Sequence, residues 1–146
     1  MATLEQAIVI AAKAHTGQVD KAGAPYILHP LRVMLSLDSP EDKIVGVLHD
    51  VVEDSPTTFE DLRAAGFSET TIQALDSVTR RPDEAYRTFV ARAAADPIGR
   101  RVKLADLRDN ADRSRIPNPS AKDYARLERY RQAIRLLEET APNAER

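Results

Sequence analysis

The chain has 146 residues, the ordinary size of one domain. Its 21 Lys and Arg nearly balance 23 Asp and Glu for a formal net charge of −2, which excludes a strongly basic nucleic-acid footprint, and its 42% hydrophobic share argues against disorder. It has no cysteine, which removes disulfides, zinc–thiolate sites and thiol nucleophiles from consideration.

The pattern is helical almost throughout. Thr3 and Gln6 read as a capping box that opens an apolar stripe of Leu4, Ala7, Ile8, Ala11 and Ala12, running on to His15. Gly17 and Gly23-Ala24-Pro25 mark a loop. Pro30 fits the first turn of a short helix carrying Leu31, Met34 and Leu35, with His29 just before it. Ser39-Pro40-Glu41-Asp42 combines a cap residue, a proline at the first helical position and acids near the positive dipole end. The helix it starts runs through Ile44, Val45, Val47, Leu48, Val51 and Val52 to Ser55-Pro56, and is apolar on most sides, as a central buried helix would be.

Thr58 to Ala65 predicts a short helix closed by Gly66. Ser68 starts another, with Ile72, Leu75 and Val78 inward. A helix bearing Tyr86, Phe89, Val90 and Ala93 follows Pro82, and Asp96-Pro97 opens one with Ile98, Val102 and Ala105. Pro117 and Pro119 mark a loop before Ser120 caps a final long helix. Its stripe of Leu127, Tyr130, Ile134 and Leu137 can face inward or a second copy, so a homo-oligomer stays open. The expected fold is all-α: one bundle-like domain over residues 1–146, of about seven or eight helices. No apolar run is long enough to span a bilayer and no leader follows Met1, so the expectation is a soluble cytoplasmic protein with no membrane and no nucleic-acid partner.

Four segments carry candidate chemistry. The first is His49-Asp50-Val51-Val52-Glu53-Asp54, at the end of the most apolar helix. His49 and Glu53 are one turn apart, as are Asp50 and Asp54. Ionisable groups gathered there are costly without a cation or partner, and two acids at a helix C-terminus oppose the macrodipole. A divalent ion meets that need, and imidazole with carboxylate suits manganese, iron, zinc or cobalt better than calcium. The plainer alternative is a solvated last turn.

The second is Tyr26-Ile27-Leu28-His29-Pro30, where His29 becomes a candidate third ligand when taken with His49 and Asp50. In the third, Lys103, Asp106, Asn110 and Arg113 share one helical face. A carboxylate flanked by lysine, amide and guanidinium can serve a metal-bound phosphate, although a solvated face laced with ion pairs has the same pattern. His15, Gly17, Gln18 and Lys21 make a fourth cluster, in which His15 reads as a buried histidine supporting the site rather than a ligand, and Lys21 as a phosphate contact or an exposed cation.

Taken together, "AHTGQVDKAGAPYILHP", "LHDVVEDS", "TFEDLRAAGF" and "VKLADLRDN" resemble, in order and spacing, the RelA/SpoT-type HD hydrolases, from the first helix to about Arg115. The resemblance implies an α-helical HD domain that removes the 3′-pyrophosphate of (p)ppGpp, giving GDP or GTP and pyrophosphate, with manganese as the usual metal. It implies His29, His49, Asp50 and Asp106 as metal ligands, Glu53 and Asp54 as the acids that orient or deprotonate water, and Asn110 at the nucleotide, with Lys21 and Lys103 as further substrate contacts. The chain is too short to add a synthetase domain, so the expectation is a stand-alone small alarmone hydrolase acting on a small nucleotide. Two positions depart from the family pattern: Asp20 stands where a base-contacting arginine is usual, and Asp109 where an aromatic or histidine is usual. The alternatives are an HD phosphohydrolase acting on NADPH or an adenine nucleotide, a catalytically silent nucleotide-binding module, and a purely structural helical domain.

Overall fold

The computed structural model describes residues 2–112 and 116–140. Among them are nine helices: α1 (Leu4–Ala14), α2 (Leu28–Leu35), α3 (Pro40–Leu48), α4 (Val51–Asp54), α5 (Phe59–Ala64), α6 (Glu69–Ser77), α7 (Tyr86–Ala95), α8 (Pro97–Asn110) and α9 (Ala121–Glu139). An isolated bridge between Val19 and Pro25 is the one piece of β-pairing recorded among these residues. The all-α expectation holds.

Side-chain caps set most of the helix starts. Thr3, Thr58 and Ser120 form reciprocal capping boxes with Gln6, Asp61 and Asp123. Ser39 and Asp96 each accept from a backbone N–H in the first turn, ahead of Pro40 and Pro97. Each such cap contributes on the order of 1 kcal/mol. Gly66, at φ +101°, follows α5 in the left-handed conformation that glycine tolerates best.

Two boundaries differ from the sequence expectation. Helix α2 begins at Leu28, so His29 lies inside its first turn rather than before it. The helix expected to run unbroken to Ser55 is instead interrupted at His49-Asp50, which separates α3 from α4 and accounts for the ninth helix. The His49 side chain takes part in that ending. Its Nδ1 donates to the Gly46 carbonyl at 2.6 Å, satisfying an oxygen near the end of α3.

Helix α3 is central and packs on α1, α2, α6 and α8. Val45, Val47, Leu48 and Val51 are fully buried, each worth about 1.5–3 kcal/mol of burial. Gly46 faces α2 closely: a Cβ there would lie 3.4 Å from Val33 Cγ1 and 3.5 Å from the Met34 Cα. Helix α8 is the second hub, touching α2, α3, α6, α7 and α9. The α9 stripe is directed inward: Leu127, Ala133 and Leu137 are buried, and Ala133 and Leu137 cluster with Val90 and Leu107. No helix of the described residues is long and apolar enough to cross a membrane.

Candidate metal centre

Helices α2, α3 and α8 meet where their polar residues converge. Helix α2 supplies His29, the break after α3 supplies His49 and Asp50, and the middle of α8 supplies Asp106. His29, His49 and Asp50 present donor atoms within 4.8 Å of one another. Their Nε2 atoms lie 3.9 Å (His29) and 3.1 Å (His49) from Asp50 Oδ2. Asp106 closes the group, its Oδ1 being 2.9 Å from His29 Nε2 and 3.4 Å from His49 Nε2. Both histidines are buried, 5% and 3% exposed.

Each imidazole is oriented by its Nδ1. A carbonyl or an ionised carboxylate can only accept, so His49 donates Nδ1–H to Gly46 and His29 donates Nδ1–H to Asp109 Oδ2 at 2.6 Å. Both Nε2 atoms then face the Asp50 and Asp106 carboxylates. His49 Nε2 is buried and, despite its short distances to both carboxylates, makes no hydrogen bond of acceptable geometry. An orphaned imidazole nitrogen aimed at two carboxylates, with a second imidazole beside it, is a donor set that fits a divalent cation.

The electrostatics agree with that fit. Burial alone would depress the His49 pKa, but Asp50 and Asp106 hold it well above the ordinary imidazole value. His29 is likewise raised, burial being outweighed by its bonds to Asp106 and Asp109. Burial opposes ionisation of Asp106, yet Lys103 and His49 keep its carboxyl well below the usual range. Asp50 is lowered by His49 against the same burial. Metal ligation needs neutral imidazoles, so a cation at this site would compete with protons for the two Nε2 atoms.

The remaining site residues from the sequence take distinct positions. Lys103, 8% exposed, donates to Asp106 Oδ2 at 3.0 Å and lies 4.5 Å above the centre of the Phe89 ring. It sits behind Asp106 and does not line the neighbouring cleft. Asn110 Nδ2 donates to Asp106 Oδ1 at 3.1 Å and does line that cleft. Burial, followed by the charges of Asp50 and Glu53, pushes the Asp54 carboxyl up to about 6. Glu53 is exposed and accepts from the Arg80 backbone N–H at 2.9 Å. His15 is buried, with Nδ1 against Gln18 Oε1 at 2.8 Å, and Gln18 Nε2 donates to the Asp54 carbonyl at 3.0 Å. Arg113 lies outside the described residues.

A cleft of about 380 Å³ opens beside His29, with Lys21, Tyr26, Arg32, Asn110, Arg126 and Tyr130 in its wall. The loop between α1 and α2 delivers Lys21 to it. Asp20 Oδ1 ties that loop by accepting from the backbone of Ala22 and Ala24, both at 2.9 Å. The loop carboxylate thus has a local structural task.

Sequence reasoning missed three residues as site components: Tyr26, whose hydroxyl donates to Asp50 Oδ2, and the pair Asp109 and Arg32. A signal existed for the pair, since Arg32 follows His29 by three on α2 and Asp109 follows Asp106 by three on α8, a spacing that shares a helix face.

No family model matches the chain. Among curated proteins, the guanosine-3′,5′-bis(diphosphate) 3′-pyrophosphohydrolase of Aquifex aeolicus (strain VF5) is 34% identical, the alignment covering 73% of this chain and 17% of the relative. A GTP pyrophosphokinase of Streptomyces coelicolor is also 34% identical, over 98% of this chain and 18% of the relative. The chain thus spans less than a fifth of these relatives' length. A solved structure described as a metazoan ortholog of SpoT that hydrolyzes ppGpp superposes with a TM-score of 0.80 at 22% identity, covering 98% of this chain and 89% of that one.

Proposed function

The chain is a SpoT-like HD-domain protein, and from that premise we propose that it is a metal-dependent (p)ppGpp 3′-pyrophosphohydrolase. The observation that carries the proposal is the convergence of His29, His49, Asp50 and Asp106, with the buried, unbonded Nε2 of His49 at its centre. Two relatives carry names of opposite reactions, one hydrolytic and one synthetic. A histidine–carboxylate centre with further acids beside it suits attack by water, which favours the hydrolytic reading.

In this proposal His29, His49, Asp50 and Asp106 hold the cation, with manganese the metal proposed. Bound there, a divalent cation lowers the pKa of water and polarises a phosphoryl oxygen. Asp54 accepts the water proton: with its carboxyl raised to about 6, it is ionised near neutrality yet more basic than an ordinary aspartate. Glu53, anchored through one oxygen by Arg80 N–H, assists in orienting that water. Asn110 holds Asp106 from the cleft side and turns toward the nucleotide. Lys21 offers its charge to the substrate phosphates, and the cleft beside His29 receives the rest of the molecule. Lys103 acts from behind, through its bond to Asp106. The reading takes residues 1–146 as one HD domain acting in the cytoplasm on a small nucleotide.

The test is to incubate the protein with ppGpp and Mn²⁺ and follow GDP and pyrophosphate, with Asp106→Ala as control. Stoichiometric GDP and pyrophosphate from the wild type, lost in the variant, is the expected result. A wild type that binds Mn²⁺ but leaves ppGpp intact refutes the substrate, and a panel of NADPH and adenine nucleotides then identifies another.

A further inference from the structure

His29 spans the crossing of α2 and α8, held at both ends by carboxylates of α8. Its Nε2 faces Asp106 Oδ1 at 2.9 Å, and its Nδ1 donates to Asp109 Oδ2 at 2.6 Å. Asp109 is itself gripped by Arg32, one turn beyond His29 on α2, through Nε at 2.8 Å and Nη2 at 3.1 Å. This is the two-pronged geometry in which a guanidinium fixes a carboxylate's plane. The Asp109 side chain is 12% exposed and that of Arg32 is 34%, so solvent competes little for the bond to the ring.

The two imidazoles differ in what holds them. The Nδ1 of His49 is held by the main-chain carbonyl of Gly46, which no side-chain substitution removes. The Nδ1 of His29 is held by a side chain, and one that can be altered. We infer that Asp109, locked by Arg32, is a positioning residue that fixes the His29 ring and its Nε2-coordinating tautomer, and so sets the affinity of the centre for a divalent cation. The inference rests on the metal-site reading above. Its chemical basis is that a carboxylate accepting from one ring nitrogen makes the other a better and better-aimed ligand.

The experiment measures Mn²⁺ binding by titration calorimetry to the wild type, Asp109→Asn, Asp109→Ala, Arg32→Met and the Arg32→Met/Asp109→Ala double variant, with unfolding midpoints in EDTA as the check on folding. Loss of the Asp109 carboxylate is expected to weaken binding about 10- to 100-fold. Arg32→Met should cost less, and the double variant about as much as Asp109→Ala alone, because Arg32 reaches the His29 ring through Asp109. A second readout is independent of affinity. In the Zn²⁺-loaded, ¹⁵N-histidine protein, His29 should show a protonated Nδ1 and a coordinated Nε2 in the wild type and lose that single tautomer in Asp109→Ala, while His49 serves as internal reference. Asp109→Asn keeps the shape of the side chain, so it decides the matter if Asp109→Ala folds poorly. Asp109 variants that bind Mn²⁺ within twofold of a wild type that itself binds overturn the inference while leaving the metal site intact. A wild type that binds no Mn²⁺ overturns the metal reading and this inference together.

Discussion

Replacing Lys103 by methionine tests how the centre is held together without its metal. Lys103 is a buried cation bonded to Asp106 Oδ2 at 3.0 Å, leaving Oδ1 to face the two histidines. Methionine preserves most of the length and the contact with Phe89 but leaves the Asp106 carboxylate without its lysine partner. Breaking a buried pair from one side costs about 3–5 kcal/mol. The lower end applies, because the His29 and His49 imidazoles remain to share the charge. At roughly 3 °C per kcal/mol for a chain of this size, a loss of about 3 kcal/mol lowers the midpoint in EDTA by about 10 °C. A divalent cation restores positive charge beside Asp106, so saturating Mn²⁺ should raise the midpoint of Lys103→Met by more than that of the wild type. Thermal unfolding of both proteins, with EDTA and with Mn²⁺, reads both effects. If Lys103→Met loses less than about 1 kcal/mol in EDTA, the carboxylate does not depend on this lysine. If Mn²⁺ shifts both proteins equally, Lys103 and the cation are not serving the same charge.

Two further outcomes follow from the scaffold. At Gly99 a Cβ would lie 2.0 Å from Ser77 Oγ, which is anchored to the Ala74 carbonyl, so Gly99→Ala should cost about 1–3 kcal/mol in urea unfolding, and adding Ser77→Ala should recover part of it; a neutral Gly99→Ala would show that α6 and α8 are not held at this distance. The Glu84 carboxyl is lowered to about 2, chiefly by its bond to Arg92, so its contribution is fully present above the ordinary value of 4.5 and is lost as pH falls toward 2. Arg92→Met should flatten the stability-against-pH curve across that window, and an unchanged slope would remove Glu84 as a cause of acid lability.

The helices were legible in the sequence because local rules create them. The cap at Thr3, the Ser39-Pro40 start, the Asp96-Pro97 start and the glycine after α5 each act within one turn of chain, and the structure places helix ends at all of them. The four candidate ligands were legible because their segments were read together, as motifs of fixed order. What no local rule carries is the crossing of helices. The break at His49-Asp50 replaced an expected continuous helix, because the His49 ring bonds back to the Gly46 carbonyl while its other nitrogen is drawn toward Asp106 on α8. The tertiary fold also turned Lys103 behind Asp106, drew Tyr26 onto Asp50 and seated Asp109 between His29 and Arg32. Spacing along a helix fixes which residues share its face, whereas the residue opposite is chosen only when two helices pack, through contacts between positions some eighty residues apart.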